Sequence, residues 1–127
     1  MSTPEYYSPV MPYMVVKGAD EFIKFIKAVF DAEEKLIVRN PDASIMHAEF
    51  VVNGGAILFG EAGESWPPFP APLYLATPNV DELYKRGIAN GATGNMEPRD
   101  KEYGRAAGFL DKWGNQWWLN SPDYDPK

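Results

Sequence analysis

Two stretches of the chain set apolar residues at helical spacing with polar ones between them. In DEFIKFIKAVF, residues 20–30, Phe22, Phe25, Ile26, Val29 and Phe30 fall on one stripe while Lys24 and Lys27 lie off it. Asp20 stands where it can cap that helix. In NVDELYKRGIANG, residues 79–91, Leu83, Tyr84 and Ile88 form the stripe. Asn79 offers a cap, Asp81 and Glu82 suit the positive first turn, and Asn90-Gly91 ends the helix. The two helices lie about 60 residues apart.

Each helix follows a strand-like run, PYMVVK (12–17) or PLYLAT (72–77), and precedes strand-like segments that close in a hairpin. The first hairpin turns at Asn53-Gly54, two residues that tolerate positive φ. The second turns around Trp113-Gly114, again about 60 residues on. The pattern predicts β-α-β-β-β twice, module one at about 10–62 and module two at about 72–121, with a Pro-rich linker at 63–72. One helix covers only one face of a four-stranded sheet, and the other face needs a partner. The expectation is therefore an α+β fold and one domain spanning 1–127. Its two modules would form a cup-shaped mixed sheet with helices outside and a cleft within.

Strand periodicity then sorts residues between the two faces. A two-residue turn at Asn53-Gly54 pairs Val52 with Gly55, Phe50 with Ile57 and Glu49 with Leu58. Ala48, Phe50, Val52, Ile57 and Phe59 then meet the helix. The opposite face holds His47, Glu49, Val51, Ala56, Leu58 and Gly60, a mixed set that suits a ligand or solvent. The same logic in GFLDKWGNQWWLN gives Phe109, Gln116 and Trp118 to the inner face, with Leu110, Trp117 and Leu119 toward the helix. On the first strand, Met11, Tyr13 and Val15 share one side.

Composition narrows the function classes. There are no cysteines, so disulfides, thiolate metal sites and thiol catalysis are excluded. The net charge is −6 and the basic residues are scattered, which argues against nucleic-acid binding. MSTPEYYSPV lacks a basic start followed by an apolar run, and no apolar stretch approaches the roughly 18 residues of a membrane span. A cytoplasmic protein without membrane partners is the expectation. Aromatic residues make up 14% of the chain, enough to furnish a small-molecule pocket as well as a core.

His47, the single histidine, lies two residues before Glu49 on one strand face. A carboxylate there can orient the imidazole and raise its proton affinity, which makes an acid/base pair; the alternative is a partly exposed pair that keeps the sheet soluble. Tyr13, Phe109 and Trp118 are candidates for an aromatic wall facing a planar or cationic ligand, or for plain core. Arg105, in EPRDKEYGR, is placed to pair with an anionic group or to offset the acidic residues around it. Trp66 and Phe69 suit a dimer contact. Phosphate-loop, H-E-x-x-H and G-x-S-x-G motifs are missing.

The segments PYMVVKGADEFIKFIKAVF (12–30), IMHAEFVVNGGAILFGE (45–61) and YGRAAGFLDKWGNQWWL (103–119) resemble the vicinal oxygen chelate superfamily. That superfamily includes glyoxalase I, bleomycin-resistance proteins and extradiol dioxygenases, and the PhnB-like branch is the most similar part of it. The resemblance implies paired βαβββ modules and a homodimer. In metal-dependent members the ligands come from the first and last strands of each module, positions that hold Met11, Leu58, Pro72 (or Ala71) and Trp118 here. None supplies an imidazole or carboxylate, so no metal and no cofactor are expected. The function expected is small-molecule binding without the usual metal, with a cleft lined by Tyr13, His47, Glu49, Phe109, Gln116 and Trp118. The alternatives are a metal-independent isomerase or lyase acting on a small carbonyl or aromatic compound with His47 as base, and sequestration of a cationic antibiotic.

Overall fold

The computed structural model describes residues 2–122. The chain forms two compact units that divide between Pro70 and Ala71. In the first, β1 (Tyr13–Val16), α1 (Ala19–Phe30), β2 (Glu33–Arg39), β3 (Ile45–Val52) and β4 (Gly55–Glu61) build a sheet of order β1-β4-β3-β2. In the second, β5 (Pro72–Ala76), α2 (Val80–Ala89), β6 (Thr93–Lys101), β7 (Gly104–Leu110) and β8 (Gln116–Ser121) give the equivalent order β5-β8-β7-β6. The first strand of each unit pairs parallel with the last, and the other pairs are antiparallel. The fold is thus α+β, with two mixed sheets of βαβββ type. No helix among the described residues is long and apolar enough to cross a membrane.

The apolar stripe of α1 is buried as its spacing requires, and Phe22 meets Phe59 edge-on with ring centroids 4.9 Å apart. Asp20 does not cap this helix. Gly18 occupies the cap position at φ 92°, a conformation that favours glycine, and so brings no capping side chain. The Glu61 carboxylate at the end of β4 accepts instead from the N–H groups of Gly18 and Ala19, both at 2.8 Å. Asp20 is left to pair with Arg39. On α2 the buried residues are Val80, Leu83 and Gly87, while Ile88 lies toward solvent. Gly87 takes the place expected of a larger residue because the Phe109 ring presses there: a Cβ on Gly87 would sit 2.5 Å from it.

The β3–β4 hairpin has the register read from Asn53-Gly54, with Val52 opposite Gly55, Phe50 opposite Ile57 and Glu49 opposite Leu58. The β7–β8 hairpin does not follow the same pattern. Leu110 pairs with Gln116, so five residues, 111–115, form its loop. An odd loop in place of an even one shifts the pairing by one residue and exchanges the faces of β7. Phe109 therefore lies opposite Trp117 on the helix side, fully buried and 6.3 Å from the Tyr84 ring of α2. Leu110, not Phe109, shares a face with Gln116 and Trp118. Placing Phe109 on a ligand-facing surface is thus corrected.

Candidate functional site

The non-helix face of the first sheet carries a chain of polar side chains. His47 Nε2 lies 2.7 Å from Glu49 Oε2, as their two-residue spacing anticipates. Glu49 is 1% exposed, and its burial is bearable because three donors surround it. Tyr6 donates its O–H to Oε1 at 2.5 Å, and Tyr7 and His47 both donate to Oε2. Burial alone would push the Glu49 carboxyl up, but these three hydrogen bonds and the His47 charge outweigh it and hold the group below its ordinary value. The same bond acts in reverse on Tyr6, whose hydroxyl, donating to Glu49, is pushed up to about 12.

Tyr6 and Tyr7 join this cluster although the sequence pattern did not flag them, because they precede the first strand and belong to no periodic element. Their backbone makes a turn, with Tyr7 N–H donating to the Pro4 carbonyl, and their rings meet edge-on. The Lys35 ammonium lies 5.5 Å from the Tyr6 ring centre and holds that ring from the β2 side.

Since the ionised Glu49 takes the Nε2 proton bond, a neutral His47 offers only Nδ1 as acceptor. That atom lies 3.1 Å from the Tyr13 hydroxyl, and the two rings are stacked with centroids 5.6 Å apart. Both histidine nitrogens are therefore engaged, and the chain Glu49–His47–Tyr13 ends at a phenol. Burial and the Glu49 charge push the Tyr13 hydroxyl up, so that it stays protonated.

Tyr13 is also a wall of a pocket of about 550 Å³ on this unit, with Val15, Met46, Gly60, Glu61, Trp66 and Phe69. Gly60 keeps it open, since a Cβ there would lie 2.6 Å from the Met46 carbonyl and 3.3 Å from the Tyr13 hydroxyl. The Pro-rich segment supplies the far wall. Phe69 exchanges two backbone hydrogen bonds with Val15, which fastens the segment along the edge of β1. Trp66 and Phe69 present 72% and 69% of their surfaces to solvent. Glu61, the one charged residue of this lining, is occupied by the start of α1.

In the second unit the expected site residues scatter. Arg105 clasps Asp81 of α2 through two bonds, at 2.9 and 2.7 Å, and reaches Asp100 at 2.9 Å. Its guanidinium ties β7 to the first turn of α2 and holds the Asp81 carboxyl below its ordinary value, so it is not available to an anionic ligand. Gln116 exchanges hydrogen bonds with Asn95 across the sheet. Trp118 alone of the set stands half-exposed on the non-helix face.

The positions that the resemblance assigns to metal ligands hold a thioether, an alkyl chain, proline or alanine, and an indole. Among the described residues, no group of three His, Cys, Asp or Glu side chains is placed to hold an ion. The donor set does not fit a divalent metal at those positions.

Residues 8–119 match the Glyoxalase/Bleomycin resistance protein/Dioxygenase superfamily. The uncharacterized protein Mb0911c of Mycobacterium bovis is 29% identical over 123 residues, covering 87% of this chain and 81% of its own length. For Rv0887c of Mycobacterium tuberculosis the identity is also 29% over 123 residues, with 87% and 72% covered. Among solved structures, TioX from Micromonospora sp. ML1 superposes with a TM-score of 0.75 at 21% identity, over 91% of this chain and 98% of TioX. A PhnB protein from Bacillus cereus gives 0.71 at 20%, over 90% and 99%. The fosfomycin resistance protein FosX of Listeria monocytogenes gives 0.66 at 22%, over 95% of each chain. These structural likenesses speak for the fold, and the family match spans both units: the chain belongs to the glyoxalase/bleomycin resistance protein/dioxygenase superfamily.

Proposed function

We propose that this protein binds a small, neutral, largely apolar molecule in the pocket of its first unit. The observation that carries the reading is the pocket wall itself, where Trp66 and Phe69 stand in solvent beside Tyr13, Val15 and Met46. Large rings left exposed around a concavity are the usual furniture of a ligand site. Both Glu61 oxygens are already taken by the N–H groups that open α1, which favours an uncharged ligand over a cationic antibiotic. The fold likeness to the Bacillus cereus PhnB protein supports a place in the PhnB-like branch.

The neutral fluorophore N-phenyl-1-naphthylamine tests this directly. Saturable binding is expected, and Trp66→Ala should weaken it by about 2 kcal/mol, roughly 30-fold, as loss of an aromatic anchor does. Because Trp66 is exposed, its removal should leave stability within about 0.5 kcal/mol. Equal affinity in the variant would overturn the assignment.

A second reading, an isomerase or lyase acting on a small carbonyl compound, is supported by the hydrogen-bond chain that ends in the pocket wall. The group that meets substrate is then Tyr13, with His47 behind it. A proton placed on His47 Nδ1 turns that nitrogen from acceptor to donor toward the Tyr13 oxygen. The Tyr13 proton is thereby freed to hydrogen-bond a substrate carbonyl while a solvent water takes the α-proton, and return of a proton from solvent to the same carbon completes the exchange. Exchange of the α-protons of phenylacetone in heavy water, followed by NMR, should fall by about a hundredfold in Tyr13→Phe. An unchanged exchange rate removes this reading and leaves binding alone.

A further inference from the structure

The second sheet carries its own recess, of about 270 Å³, lined by Tyr74, Met96, Tyr103, Ala106, Trp118, Leu119 and Asn120. Three aromatic side chains meet there with unusual exposure: Tyr74 at 64%, Tyr103 at 58% and Trp118 at 44%. Tyr74 and Trp118 lie directly opposite each other on β5 and β8, so their rings rise from one face of the sheet. At the place on this sheet that Glu49 occupies on the first, opposite the β8 residue Trp118, stands Gly108. No side chain rises there to anchor a covering segment, and the Trp118 ring edge lies 3.4 Å from where a Cβ would be.

The polar part of the recess is a pair with unused capacity. Asn120 is 3% exposed and donates from Nδ2 to the Tyr74 oxygen at 2.6 Å. Its Oδ1 is buried without a hydrogen-bond partner. A buried amide oxygen left so is a cost to the fold, which a leucine of the same branching would avoid. Since the Tyr74 oxygen accepts from Asn120, its own proton is directed elsewhere. One acceptor and one donor therefore sit side by side beneath three rings.

From this we infer a second ligand site on this sheet, selective for a planar aromatic molecule whose edge carries a ring N–H next to a carbonyl. The ring N–H would be received by Asn120 Oδ1, the carbonyl would accept the Tyr74 proton, and the ring plane would lie against Trp118 and Tyr103. This site rests on residues of the second unit only, and it stands or falls apart from the pocket lined by Trp66.

The probe is 2-quinolone, which has that edge, compared with N-methyl-2-quinolone, which lacks the N–H. Titration into the isotope-labelled protein should shift the Trp118 indole and the Asn120 side-chain amide saturably, and the methylated probe should bind about tenfold more weakly. Asn120→Leu should fold at least as stably as the parent, lose about tenfold in affinity for 2-quinolone and no longer distinguish the two probes. Trp66→Ala should leave the shifts that 2-quinolone causes at the Trp118 indole and the Asn120 amide as they are in the parent. Equal binding of both probes to the parent protein, an unchanged affinity in Asn120→Leu, or shifts confined to Trp66 and its neighbours would each overturn the site. If Asn120→Leu proves less stable, Asn120 is a structural residue and the assignment of its oxygen is wrong.

Discussion

Glu49→Ala is expected to lower the unfolding free energy by about 3 kcal/mol, the cost of removing one partner from a buried, fully bonded charge cluster. The cost arises at three places. Tyr6 and Tyr7 lose the acceptor that holds the N-terminal segment on the sheet, and His47 loses the group that fixes its tautomer. Chemical denaturation gives the free energy, and limited proteolysis reports the segment. Cleavage near residues 5–10 should appear in Glu49→Ala before any global unfolding. Glu49→Gln keeps one acceptor oxygen and should fall between the variant and the parent. An unaltered denaturation midpoint in Glu49→Ala would show that the tyrosine contacts contribute nothing to folding.

The same cluster sets a pH window. The folded Glu49 carboxyl lies below its ordinary value of 4.5, so as pH falls the unfolded chain takes up the proton first. Its stabilisation is complete above that value and is lost as pH drops through the folded one. For Tyr6 the direction is opposite, because its pKa rises from 10.0 to about 12 on folding. That contribution is whole below pH 10.0 and declines as pH climbs through about 12. Tyrosine absorbance followed through an alkaline titration should therefore show Tyr6 ionising late in the parent and near its ordinary value in Glu49→Ala.

Much of this architecture is visible in the periodicities. The α1 stripe, the two-residue turn at Asn53-Gly54 and the shared face of His47 and Glu49 each rest on a local rule that nothing distant overrides. What was not legible depends on contacts far along the chain. The cap of α1 comes from Glu61, 42 residues beyond Ala19, and Tyr6 reaches Glu49 across 43 residues. Asn120 carries no pattern of its own, and only its neighbours reveal its unpartnered oxygen. The fate of Phe109 turned on loop parity, which a glycine in the loop does not settle. Gly114 has φ 87° in the five-residue loop, and a two-residue turn would have welcomed the same glycine.

That parity leads to the second large effect. Asp111→Ala should destabilise the protein by about 3–4 kcal/mol, because one buried carboxylate organises the entire β7–β8 loop. Asp111 is 4% exposed. Its Oδ1 accepts from the Trp113 and Asn115 backbone N–H groups, and its Oδ2 from Asn115 Nδ2 and Trp117 Nε1, all at 2.9 Å. Asn115 in turn accepts from the Ala71 N–H, so the loop also fixes the start of β5. Asp111→Asn should fare little better, since its new amide would face donors with a donor. Denaturant titration monitored by tryptophan fluorescence measures the loss, and a cycle with Trp117→Phe separates the indole bond from the rest. Coupling of about 1 kcal/mol is expected for that single bond, with the larger remainder belonging to the backbone and Asn115 donors. If the remainder is small, the loop holds its five residues for steric reasons alone. Deleting Lys112 then becomes the decisive variant. An even loop would turn Phe109 away from α2, whereas a loop held by Asp111 would unfold before accepting that register.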